Sequence, residues 1–179
     1  MKPFLALLAL GLLALMLQGA AALLVPASFV PDLGLLVVVA AAIHLRSVAV
    51  GVLLATLLGY ATDMFSGSLL GEHALLRLAT YGAARFASAR LNLRGPLPQA
   101  LFVALLCVAH ALALWGLVAS FTPAVGWPLV TLGSLLPYAL VNGLVAPFTT
   151  HGVGVLLTRL GDEEGGNRLV RLEPRSFSA

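Results

Sequence analysis

The stretch Pro31–Leu75, PDLGLLVVVAAAIHLRSVAVGVLLATLLGYATDMFSGSLLGEHAL, decides how this chain is read. An acid, Asp32, precedes an apolar run from Leu33 to Leu45. Arg46 interrupts, and a second apolar run from Val48 to Thr62 ends against Asp63. At a rise of ~1.5 Å per residue the two runs span roughly 20 and 22 Å, short for a hydrocarbon core of ~30 Å. The stretch therefore reads either as a hairpin of two short helices or as one long helix broken at Arg46. Gly51, Ala55 and Gly59 recur every fourth residue, with Asp63 next in register. Small residues at that spacing let helix backbones approach closely in lipid. Beyond Asp63, Gly67 and Gly71 permit turns with positive φ, and Ser66 and Ser68 can satisfy loose backbone groups. This chemistry fits a buried re-entrant turn.

The rest of the chain supports a lipid-solvated reading. Of 179 residues, 60% are hydrophobic and 9% charged, against about 25% charged in ordinary soluble domains. A soluble enzyme, a secreted toxin and a disordered tail are excluded on that ground. The single cysteine, Cys107, excludes a disulfide framework and a cysteine-based metal site. The apolar run from Phe4 to Val25 resembles a signal peptide. It is nevertheless long enough, at roughly 33 Å, to cross a bilayer, and signal h-regions are shorter, about 7–15 residues. It is expected to be a first transmembrane helix. Further apolar stretches run over Ala74–Ala89, Leu97–Phe121 and Trp127–Leu157.

Charge parity chooses between five and six spans. With six, Lys2, Arg46, Arg85, Arg90, Arg94 and the basic residues from Arg159 onward fall on one side, nine of the ten in the chain. The positive-inside rule then places both termini in the cytoplasm, with Asp32, Asp63 and Glu72 outside. Pro137 and Pro147 lie within the last span, which is expected to be bent, tilted or broken. Trp115 and Trp127 are candidate interfacial markers. Residues 161–179 differ in composition. They read as a flexible cytoplasmic tail, either touching anionic lipid through Arg168, Arg171 and Arg175 or simply solvated. The organisation is a six-helix domain over 1–160 followed by that tail.

Ionisable groups within membrane spans need a reason, because each costs at least ~2.5 kcal/mol at mid-membrane. His73, Arg77, Tyr81 and Arg85 follow an i, i+4, i+8, i+12 spacing, which gives one helix a polar stripe. Arg77 is expected to pair with Asp63, or else to reach outward with Glu72 as its partner. His110 is read as an interhelical hydrogen-bonding residue, and Asn142 as a donor to carbonyls freed by the prolines. No phosphate-binding loop, nucleophile elbow or HExxH arrangement occurs, and no acidic pair lies inside the membrane. Catalysis, a cofactor, a metal and nucleic-acid binding are not expected.

The ordered set Pro31, Asp32, Leu33, Gly51, Gly59, Asp63, Ser66, Gly67, Leu70, Gly71, Ala74 and Leu75 resembles the family of the rod shape-determining protein MreD. Glu72 departs from the apolar residue of that pattern. The resemblance implies a non-catalytic component of the bacterial inner membrane that binds MreC, within an assembly of MreB, RodZ, RodA and its transpeptidase. It also implies a six-helix, all-α architecture similar to the substrate-binding S-components of energy-coupling-factor vitamin transporters. The alternative function is therefore that of a small-molecule-binding S-component. Asp63, Ser66, Gly67, Gly71 and Arg77 are the candidate outer-loop or partner-contact residues. Gly51, Ala55 and Gly59 form the candidate packing face, and Pro31 and Asp32 mark the entry to the hairpin.

Overall fold

The computed structural model describes residues 2–67, 69–91, 93, 95–121 and 129–161, with the side chains of 129–132 left aside. Ser68, Arg94, Trp127 and the tail with Arg168, Arg171 and Arg175 lie outside the described residues. Six α-helices run in sequence: α1 Lys2–Ala21, α2 Leu33–His44, α3 Val48–Ser66, α4 Glu72–Arg90, α5 Pro96–Phe121 and α6 Leu129–Arg159. A single 3-10 turn, Ala27–Phe29, precedes α2, and no strand occurs among the described residues. Short segments join α2 to α3 and α3 to α4. Asp32, Asp63, Glu72 and Arg77 gather near one end, here called the acidic end, and Lys2, Arg46, Arg90 and Arg159 lie toward the other.

Five segments are long and apolar enough to cross a membrane, with α2 counted together with the 3-10 turn before it. The sixth helix, α4, is long enough at 19 residues but is the polar one. Its inner stripe is wrapped by other helices and not by lipid. The break between α2 and α3 falls at Leu45–Ser47, so the two are separate helices. Ser47 Oγ accepts the Val50 N–H at 3.4 Å to start α3. α3 is longer than the apolar run suggested, at 19 residues, whereas α2 has only 12. Nine consecutive residues, Gly34–Ala42, are buried, because α1, α3, α4 and α6 all pack around it. A helix apolar on every side is stable only when surrounded in this way.

The small-residue stripe of α3 faces α4. A Cβ at Gly59 would overlap the backbone of Ala74 and come within 2.6 Å of the His73 carbonyl, and a Cβ at Gly51 would overlap the Tyr81 ring. Ala55, between them, is fully buried. Gly143 also brings α6 close to α5, where an added Cβ would lie 2.9 Å from the Ala100 carbonyl. α6 stays one continuous helix through Pro137 and Pro147.

Two expectations are corrected here. The turn after α3 is not buried and re-entrant: Met64, Phe65, Leu69 and Leu70 are exposed at 54–70%. Gly67 at φ 65° closes α3 and Gly71 at φ 95° opens α4, so the chain reverses in a few residues. Trp115 is half-buried and lines a cavity beside α4. The Asn142 amide donates to the Tyr138 carbonyl at 2.8 Å, one turn back, and not to the carbonyls of Gly133 or Gly143 that the prolines release.

Candidate functional site

The polar stripe of α4 is a ladder whose rungs all reach earlier helices. At the acidic end His73 Nδ1 lies 2.9 Å from Asp63 Oδ1. The same carboxylate accepts the Gly71 and His73 backbone N–H groups, each at 2.8 Å. Gly71, at the start of α4, has no side chain with which to cap it. Asp63, at the end of α3, caps the first turn of α4 instead and meets the positive end of its dipole.

Arg77 forms the second rung. Its side chain is fully buried. Nη2 donates to Asp32 Oδ1 at 3.0 Å and Nη1 to the Leu58 carbonyl at 3.1 Å. Neither expected partner is used: Asp63 is held by His73 and the α4 backbone, and Arg77 pairs with Asp32, 45 positions upstream. The reason is geometric. Asp63 lies level with the start of α4, whereas Arg77 sits more than a turn deeper, level with the start of α2. Asp32 Oδ1 also accepts the Leu35 N–H at 2.9 Å and so caps α2, while the Asp32 N–H donates to Asn142 Oδ1 at 2.9 Å. One residue thereby ties α2, α4 and α6 together. Gly34 makes the room, since a Cβ there would lie 2.7 Å from Arg77 Nη1.

The lower rungs lead toward the opposite end. Tyr81 packs into the space at Gly51, with its hydroxyl 3.5 Å from the Val48 carbonyl. Arg85 Nη1 donates to the Ala42 and Leu45 carbonyls at 3.1 and 3.0 Å, satisfying the last turn of α2. On its other side, α4 presents Thr80, whose hydroxyl oxygen lies 2.9 Å from His110 Nδ1 of α5, the interhelical bond expected of that histidine.

Beside this ladder is a cavity of about 590 Å³, walled by the 3-10 turn, the start of α2, and α4, α5 and α6. Ser28, Asp32, His73, His110, Trp115 and Tyr138 are among its lining residues. A second, apolar groove of about 350 Å³ lies between α1, α2 and α6. Among the described residues no group of three His, Cys, Asp or Glu side chains is placed to hold a metal ion.

The structure thus brings Asp63, Gly67, Gly71 and Arg77 to one end, and puts Ser66 in the last turn of α3. It sets Gly51, Ala55 and Gly59 against α4, and makes Asp32 both a cap and an ion-pair partner. Pro31, just before it, accepts the Leu33 N–H at 3.0 Å in the turn that starts α2. Gly34 and the α6 partner Asn142 were missed as members of this network. A glycine two positions after a capping acid, in an otherwise bulky run, was the available signal.

No curated protein and no solved structure matches the chain. The family model for the rod shape-determining protein MreD matches residues 1–146, which include every residue of the ladder and its anchors on α2, α3 and α6. With that match over most of its length, and with its apolar helices, the chain belongs to the MreD family, as a multi-pass membrane protein with a role in rod shape determination.

Proposed function

We propose that the protein is a non-catalytic scaffold of the bacterial inner membrane that binds MreC and through it supports peptidoglycan synthesis during elongation. MreB, RodZ, RodA and its transpeptidase are the wider assembly. The observation that carries this reading is the α3–α4 tip. Asp63 fixes the turn from inside, and the turn projects Phe65 and Leu70, 69% and 70% exposed, at the bundle end. A rigid apolar projection suits docking, because little conformational entropy is lost when a partner covers it. Asp63, Ser66, Gly67 and Gly71 then act by shaping the tip, and Arg77 by holding α4 under it.

The test is co-expression with MreC of the same organism, pull-down in mild detergent, and sizing. A stoichiometric complex is expected. Phe65→Ser with Leu70→Ser is expected to weaken it at least tenfold while leaving the thermal midpoint of the free protein unchanged. Failure of the wild-type chain to capture MreC overturns the proposal.

The cavity favours a second reading, a small-molecule-binding subunit similar to the S-components of energy-coupling-factor transporters. Its polar lining near one end is what such a subunit requires. A tightly held molecule seen by native mass spectrometry, with no capture of MreC, selects this reading.

A further inference from the structure

The same cavity has a hydrogen-bonding polarity that specifies its ligand. Thr80 Oγ1 lies 2.7 Å from the Leu76 carbonyl, which can only accept, so the hydroxyl proton is donated there. The oxygen must then accept from His110 Nδ1–H, 2.9 Å away. In the neutral ring this fixes the tautomer and leaves Nε2 as an acceptor. Asp32, which lines the cavity, meets both Leu35 N–H and Arg77 Nη2 with Oδ1, so Oδ2 takes no part in either bond. Trp115 and Tyr138 add aromatic rings to the cavity wall.

The fixed charges near the cavity are mixed, with acids in excess. Among the described residues at the acidic end, the charged side chains are Asp32, Asp63, Glu72 and Arg77: three carboxylates against one guanidinium. All but Asp32 are buried. A phosphate or carboxylate entering the cavity meets that excess unfavourably. An ammonium group is attracted by it, donates to the acceptors, and gains from aromatic rings. The volume falls within the range of small-molecule sites, about 300–1,000 Å³.

We propose that this cavity binds a primary ammonium group, carried either by a phospholipid headgroup or by a free small amine. The site exists whether the chain is a scaffold or a transport subunit, and binding here does not depend on capture of MreC.

The full chain in mild detergent is tested by native mass spectrometry and thermal shift against four probes: ethanolamine, phosphatidylethanolamine, phosphatidylcholine and phosphatidylglycerol. At least one primary-amine probe is expected to bind ten times more tightly than phosphatidylcholine or phosphatidylglycerol. Equal affinity for ethanolamine and phosphatidylethanolamine identifies a free-amine site, whereas binding of the lipid alone identifies a headgroup site. Ala111→Phe, which fills the cavity, is expected to weaken amine binding at least tenfold. If it does not fold, Tyr138→Leu is judged by the same criterion. The proposal is overturned if neither amine probe binds, if phosphatidylcholine or phosphatidylglycerol binds as well, or if binding survives the filled cavity.

Discussion

Arg77 concentrates most of what is unusual about this molecule at the level of single residues. A fully buried guanidinium is tolerated because Asp32 supplies the opposite charge and the Leu58 carbonyl a second acceptor. Removing one member of such a pair leaves the other buried and unpaired, at a cost of about 3–5 kcal/mol. We therefore expect Arg77→Leu to lose a large part of the protein's stability in equilibrium unfolding from mixed micelles. Arg77→Lys should be nearly as damaging, because one ammonium cannot span the two acceptors that the planar fork reaches at once. In a double-mutant cycle the coupling should be larger between Arg77 and Asp32 than between Arg77 and Asp63. The opposite order would refute the assigned pairing. The presence of a buried Arg77 needing an acid was legible in the sequence, but the identity of that acid was not. Helical spacing orders residues within one helix and says nothing about which of three acids, on three elements, arrives at the same depth.

At the scale of elements, the α3–α4 contact was the most legible part of the fold. Glycine and alanine every fourth residue are a surface pattern that needs no knowledge of the partner. The two glycines are nevertheless not equivalent. At Gly59 an added methyl meets main chain of α4, which cannot rotate away, whereas at Gly51 it meets the Tyr81 ring. Overpacking typically costs 1–3 kcal/mol. Gly59→Ala should fall near the upper end and Gly51→Ala near the lower, with Tyr81→Leu restoring part of the Gly51→Ala loss. Thermal midpoints of the four variants check this, and equal losses without rescue would show that Tyr81 is not the obstruction. Helix ends were less legible. Asp63 capping a helix other than its own, and an exposed turn where a buried one was expected, depend on which way the chain leaves Gly67.

For the whole molecule, the separation of charge between the two ends of the bundle carries the topology. Basic residues remain on the cytoplasmic side, so the acidic end should face outward. Cysteine placed at Ser28 or Leu70 should react with a membrane-impermeant maleimide in intact cells, and cysteine at Leu91 should react only after lysis. The native Cys107 is fully buried and should stay silent in both. The reverse labelling pattern would invert the orientation. The helix count was readable from apolar length and charge parity, whereas the cavity was not, since it is shaped by residues as distant as Ser28 and Tyr138. The ladder on α4 also has a direction along the chain. Its acceptors, Asp32, Ala42, Leu45, Val48, Leu58 and Asp63, all precede α4, and among the rungs described only the Thr80–His110 bond waits for a later helix. During synthesis the least apolar helix therefore emerges after its receptors have been made. It can leave the insertion machinery already paired, without a period in which its arginines face lipid alone.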